Sequence, residues 1–272
     1  MQDFRIHPSE MVSSFWRNRS LITASVKREI FGRYRGSFLG IAWSFFNPLL
    51  MLAIYTFVFG TILKARWSVA ADSQMEFALV LFAGLITFNL FAESVTRAPS
   101  LIVSNPNYVK RIVFPLEILP FVIIGSALFH YLIGLGIWLL VYVLFYGAPP
   151  ATVLYFPLIL LPLIIFTLGV SWMLASLGVF LRDVSQVIGL VTTAMMFLAP
   201  VFYPTSSLPE GYRPLLYLNP LTPAIELSRD VLYWGKQPDF LLVAFYLLAA
   251  SLVAWLSFAW FQKTRKGFAD VL

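Results

Sequence analysis

From Phe38 to Leu63 the chain carries no charge, between the basic lead-in Arg33-Tyr34-Arg35-Gly36 and Lys64. A helix rises about 1.5 Å per residue and a bilayer core is about 30 Å thick, so this run is long enough to cross with some tilt. Five more apolar runs follow, and together they predict six spans at about 38–63, 77–97, 116–146, 153–181, 186–203 and 240–261. The run at 116–146 is long for one span and includes Glu117 and Pro120, so its start is expected at the interface. Ahead of the first span, Met11, Phe15, Leu21, Ile22, Val26 and Ile30 recur at roughly helical spacing among Arg17, Arg19, Lys27 and Arg28. That spacing predicts an amphipathic helix lying in the membrane interface.

Between the spans, prolines mark the breaks. In 97–117, Pro99, Pro106 and Pro115 divide a connection whose short helix, around Asn107 to Val113, would present Tyr108, Lys110 and Arg111; a plain loop stays equally open. The longest non-spanning stretch, 200–238, carries six prolines from Pro200 to Pro223 yet stays aromatic, with Phe202, Tyr203, Tyr212, Tyr217, Tyr233 and Trp234. Thr222 before Pro223 reads as an N-cap opening a helix through Leu232, with Glu226 in its first turn. Apolar short helices outside the spans suggest a re-entrant hairpin. The expected fold class is therefore all-α integral membrane: a cytoplasmic amphipathic segment at 1–37, a six-helix transmembrane domain at 38–261 with an exofacial helical hairpin, and a tail at 262–272.

Composition agrees: 60% of residues are hydrophobic and 12% charged. The net charge of +6 would suit nucleic acid if it were clustered, but it sits at span ends, where it suits anionic headgroups. Fourteen Lys and Arg fall on the side of the termini and five on the other, which places both termini in the cytoplasm. The first 37 residues show no short apolar core of the cleavable-signal kind. There is no cysteine, so disulfides and cysteine chemistry are excluded.

Candidate chemistry is sparse. No G-x-x-x-x-G-K-[S/T] segment occurs to cradle nucleotide phosphates. His7 and His130 are far apart, and His130 inside a span reads as packing at a helix interface or cavity. Glu93 and Arg97 are spaced for an ion pair along one helix, and Arg182-Asp183 and Arg229-Asp230 read as structural pairs at helix ends. No histidine is placed to serve a hydrolytic nucleophile, so catalysis is unsupported. What stands out is a pair of mixed faces. At 100° per residue, Ser37, Phe38, Ser44, Phe45, Tyr55, Thr56 and Phe59 share one arc of span one, while Trp43, Phe46, Leu50 and Phe57 form a wholly apolar side. On span five, Gln186, Gly189, Thr193, Met196 and Pro200 share a face. Rings beside hydroxyls suit sugars, and the two faces are candidates to line one pathway.

Four segments, YRGSFLGIAWSFFNPLLMLAIYTFVFG at 34–60, NPNYVKRIVFPLEILP at 105–120, RDVSQVIGLVTTAMMFLAPVFYP at 182–204 and NPLTPAIELSRDVL at 219–232, resemble the membrane subunit of type-2 ABC exporters of O-antigen and related polysaccharides. The resemblance covers nearly the whole chain, in family order. It implies a homodimeric pore in the bacterial cytoplasmic (inner) membrane, working with two copies of a separate cytoplasmic ATPase and carrying a lipid-linked glycan. ATP and Mg would then sit on the partner, with no cofactor on this chain. It further implies that the amphipathic helix and the loop with Tyr108, Lys110 and Arg111 dock the ATPase. Phe202, Tyr203, Tyr212, Tyr217, Glu226 and Arg229 would belong to outer gate helices, and Phe38, Ser44, Phe45, Tyr55, Thr56, Phe59, Gln186, Thr193 and Met196 would line the channel. Teichoic-acid, capsule and small-molecule exporters share this architecture. A membrane enzyme acting on lipid-linked sugar is the alternative of a different class, and it would need paired catalytic groups that the scattered Asp and Glu do not supply.

Overall fold

A computed structural model describes residues 6–62, 67, 74–109 and 114–272, and no strand occurs among them. Two helices, α1 (Pro8–Arg17) and α2 (Arg19–Tyr34), precede the first long apolar helix. That helix begins with a tight turn at Gly40–Ala42, continues as α3 (Trp43–Tyr55) and ends in a wide π-turn over Thr56–Ile62. Then come α4 (Gln74–Arg97), the short α5 (Pro106–Val109), α6 (Leu119–Tyr146), α7 (Phe156–Phe180) and α8 (Val184–Leu198). The chain closes with α9 (Arg213–Leu216), α10 (Leu221–Leu232), α11 (Phe240–Thr264) and α12 (Phe268–Val271).

Among the described residues, five helices are long and apolar enough to cross a membrane: Gly40–Ile62, Met75–Ser100, Leu116–Tyr146, Ala151–Phe180 and Phe240–Val271. The predicted fifth span, 186–203, is instead the 15-residue α8, which ends where Ala199 turns extended (ψ 151°). At 1.5 Å per residue it reaches about 22 Å, short of a bilayer core.

The centre of the bundle is α4. Every residue from Phe77 to Phe88 is buried, as expected of a helix apolar on all sides. It packs against α6, α7, α8 and α10, and the Trp138 indole on α6 donates to the Leu79 carbonyl at 2.8 Å. The most extensive helix contact is that of α7 with α11. A Cβ on Gly169 would lie 2.7 Å from the Cα of Ala254, so two small residues let these backbones touch. Lipid tails are as apolar as leucine side chains, so this association comes from close van der Waals packing.

The two ends of the chain meet at one end of the bundle. Glu117, just ahead of α6, accepts from Ser14 of α1 (3.1 Å) and pairs with Arg265 beyond α11 (2.5 Å). Its backbone carbonyl accepts from the Trp172 indole of α7 at 3.0 Å. The expected interfacial start of the third span is therefore a buried four-way joint. Nor is the segment predicted as a tail free, because Phe268 is fully buried against Phe261 and Phe180.

Helices α1 and α2 are separated at Asn18, so the predicted single amphipathic segment is two pieces. Ile22 and Ile30 are the buried residues of α2, and Val26 fits over Gly125 of α6. The apolar positions that predicted membrane contact thus also serve to seat α2 on its neighbour. The stretch 200–238 likewise packs inward: α10 lies against α4 and α7, nearly every residue of it buried. Its predicted N-cap is corrected. The helix starts two residues earlier, after Pro220, and the Thr222 hydroxyl donates to the Leu216 carbonyl at 2.6 Å instead of capping. Pro223 forces no start there, because the first turn of a helix has no partner for the missing N–H.

Candidate functional site

At the end of the bundle where α1, α2 and the C-terminus meet, α2, α3, α4 and α6 enclose a cavity of about 510 Å³. Asn89, Glu93 and Arg97 recur every fourth residue on α4, so they stack on one face and look into it. His130 of α6 stands opposite, its Nδ1 2.9 Å from Glu93. Tyr34 of α2 reaches the other ring nitrogen at 2.9 Å, and Arg33 pairs with Glu93. Arg97 pairs with Glu29 of α2, and its second nitrogen lies 3.5 Å from Glu93. The sequence predicted only the Glu93–Arg97 pair. The fold converts it into a network that fixes α2 to both α4 and α6. Burial holds the Tyr34 hydroxyl above its usual pKa, so it remains a neutral hydroxyl at physiological pH.

Further along, the same cavity is lined by Asn47 and Met51 of α3 and becomes apolar towards Phe82 and Ile86. Asn47 and Asn89 have no hydrogen-bond partner among the described residues. Neither was given a role from sequence, although an asparagine inside an apolar run is the available signal.

On span one the predicted arc divides. Gly36 (φ 85°) and Gly40 (φ 52°) interrupt the helix, so Phe38 lies outside it and is fully exposed. The 100° wheel does not apply there. Within the helix Ser44 is buried and Phe45 exposed, whereas Tyr55, Thr56 and Phe59 turn inward. Tyr55 and Phe59 pack on Phe202, at 6.3 and 5.7 Å between ring centroids, and Phe59 stacks on Phe77 at 5.8 Å. Trp43, Phe46, Leu50 and Phe57 point away from the chain. On α8, Gln186 and Thr193 are exposed and Met196 is half-buried. The Thr193 hydroxyl is spent on the Gly189 carbonyl at 3.0 Å. The structure therefore joins the first span's inner face to Phe202 and leaves the α8 face open.

At the opposite end of α4, the Arg229 side chain of α10 is 2% exposed. It donates to the carbonyls of Val80 (2.9 Å), Pro200 (2.5 Å) and Val201 (2.7 Å) and pairs with Glu226 at 2.9 Å. The Trp67 ring covers the guanidinium at 4.3 Å. Gly84 makes room, since a Cβ there would lie 2.5 Å from Nη2. Burial pulls Arg229 down to about 10, and Glu226 opposes that shift, so it stays cationic at neutral pH. Burial raises the Glu226 carboxyl more than the Arg229 charge lowers it. Tyr203 donates to the Phe197 carbonyl at 3.2 Å, while Tyr212 and Tyr217 are exposed.

In the predicted docking loop, α5 ends at Val109, and Lys110 and Arg111 lie outside the described residues. Tyr108 stacks on Phe114 at 4.1 Å and accepts from Arg28 of α2 at 2.7 Å, which ties the loop to the N-terminal helix.

The family model described as "ABC-2 type transporter" matches residues 20–233. The chain is 28% identical over 262 residues to the O-antigen export system permease protein RfbA of Myxococcus xanthus, covering 96% of this chain and 98% of that protein. It is also 28% identical to a protein of the same description from Klebsiella pneumoniae, over 93% of this chain and 95% of that one. To the polysialic acid transport protein KpsM of Escherichia coli it is 27% identical, over 82% and 85%.

Proposed function

The chain belongs to the ABC-2 type transporter family, and we propose that it is the channel-forming permease subunit of an exporter of lipid-linked polysaccharide of the O-antigen kind. The observation that carries this reading is the near end-to-end likeness to two O-antigen export permeases. The absence of a phosphate-binding loop from the sequence fits a subunit whose energy comes from elsewhere. In this reading two copies form the pore, each crossing the cytoplasmic membrane six times, the short α8 making the fifth crossing by locally thinning the bilayer, and both termini lie inside. Two copies of a separate ATPase, carrying ATP and Mg, dock on α2 and on the loop with Tyr108, Lys110 and Arg111. Closure of the ATPase pair moves α2, and the Arg33–Glu93–His130 network and the Arg28–Tyr108 bond carry that movement to the spans. The outward-facing apolar sides of α3 and α8 meet lipid or the second copy, and the inner aromatic faces with Phe202 border the conduit. The hairpin from Phe202 to Arg229, with Tyr203, Tyr212, Tyr217 and Glu226, closes its outer mouth.

The test is complementation of a strain lacking its O-antigen permease, with the chain co-expressed with its partner ATPase. Glycan should reach the cell surface, and ATP hydrolysis should require the partner. Replacing Tyr108, Lys110 and Arg111 together should reduce hydrolysis or uncouple it from export. Hydrolysis by the purified chain alone would end this reading.

A further inference from the structure

The first apolar helix does not finish as it starts. After Tyr55 its last seven residues, Thr56–Ile62, wind as a π-helix. Each N–H there reaches back five residues instead of four, so the turn holds one residue more than an α-turn. Everything beyond it lies one residue, about 100°, behind the place an unbroken α-helix would give it. The Thr56 hydroxyl donates back to the Leu52 carbonyl at 2.7 Å, a bond of the kind that bends helices, and it sits at the junction. The extra residue decides what meets the bundle. Phe59 stacks on Phe77 of α4 (5.8 Å between ring centroids) and on Phe202 (5.7 Å), and Gly60 follows as the buried residue of the turn. Tyr55, still in the α-helical part, makes its own contact with Phe202 at 6.3 Å.

Straightened into α-helix, the segment would give each residue the place of its successor. Val58 would enter the slot of Phe59, where it cannot stack, and the Phe59 ring would enter the buried place of Gly60. That place is filled by a residue without a side chain, so the ring would push the end of the first span off α4, against which the π-turn packs. Little else opposes the change. The segment Thr-Phe-Val-Phe-Gly-Thr-Ile carries no charge to be moved. Each five-residue hydrogen bond is exchanged for a four-residue one, so the backbone stays satisfied in an apolar medium. We propose that the π-turn is a register switch: as π-helix it closes the seam between the first span and the Phe77–Phe202 pair, and as α-helix it wedges that seam open. The proposal deepens the exporter reading and rests on it for what the open seam admits, a glycan; the switch itself rests on the turn.

Leu81 is fully buried one turn along α4 from Phe77, in the cluster that Phe59 and Phe202 cover. The sequence contains no cysteine, so Leu81→Cys gives a single reporter for labelling of the full chain in detergent by a water-soluble maleimide. Deleting Val58 removes the extra residue, and a straight helix then sets Phe59 and Gly60 where the π-turn sets them. This variant should keep its Tm and slow labelling at least fivefold, because straightening no longer displaces Phe59. Gly60→Leu crowds the closed turn and should speed labelling at least fivefold. A deletion that unfolds the chain, or that leaves the rate unchanged or higher, would overturn the switch, and so would a Gly60→Leu rate equal to that of the reporter chain. With its ATPase in cells, the deletion should cut glycan export at least tenfold while ATP hydrolysis continues; full export by the deletion variant would also overturn the proposal. A parent chain that restores no export loses the exporter reading, and the labelling rates still decide the switch. Export by the parent chain with labelling indifferent to both changes loses the switch alone.

Discussion

Replacing Arg229 with methionine keeps most of the side-chain volume and removes the charge at the junction of α4, α10 and the end of α8. The guanidinium makes three bonds to carbonyls that have little access to water. Hydrogen bonds to a charged group contribute about 1.5–3 kcal/mol each, and the Trp67 contact adds roughly 1–2 kcal/mol. Against this stands the cost of burying the charge. Lowering the pKa from 12.5 to about 10 corresponds to roughly 3 kcal/mol at 1.36 kcal/mol per unit. The net loss expected for Arg229→Met is therefore about 2–8 kcal/mol, which brackets the roughly 3–5 kcal/mol lost when one partner of a buried pair is removed. For a chain of this size that is a fall in Tm of the order of 10 °C, read by unfolding in detergent. Adding Glu226→Gln to the variant should recover about 1 kcal/mol or more, because the carboxylate left behind is itself largely buried. Lysine at 229 should fall between, since one ammonium cannot reach three diverging carbonyls. A Tm for Arg229→Met within about 2 °C of the parent chain would refute the argument that this residue clamps the hairpin to the bundle.

Glu117→Ala should cost about 3 kcal/mol by removing the carboxylate that pairs with Arg265 and accepts from Ser14, and limited proteolysis should then cut first beyond Thr264; an unchanged cleavage pattern would contradict the joint. Gly169→Leu should lower Tm strongly, because its Cβ would meet the Ala254 backbone and not a movable side chain; a neutral result would mean that α7 and α11 are not in direct contact. Single cysteines at Trp43 and Phe57 should react with membrane-soluble thiol reagents faster than cysteines at Leu52 or Ser44, and equal rates would place α3 in a different rotation.

Much of the fold was written in one dimension. Long chargeless runs cannot satisfy their backbones in an apolar medium except as helices, so the approximate positions of the five long apolar helices follow from the apolar pattern, whereas the short α8 and the break between α1 and α2 do not. The same holds for the inner and outer sides of α3 from Trp43 onwards, because a regular helix turns sequence spacing into angle. The likeness to polysaccharide export permeases was also legible, in the four segments and their order. Tertiary structure decided what spacing cannot express. That Glu117, Ser14 and Arg265 would share one buried joint, or that Arg229 would reach Val80, depends on groups 103 to 149 residues apart. Asn89 carried no meaning until α3 and α6 were placed beside it, because an asparagine's role depends on whether a partner is within reach. The wheel drawn through Phe38 failed because Gly36 and Gly40 take up left-handed backbone, and a projection assumes a continuous helix. Local sequence set which segments are helical and which faces are apolar, through hydrogen-bond satisfaction and burial. Only the packing of helices against one another decided which polar groups meet and which are left facing a cavity.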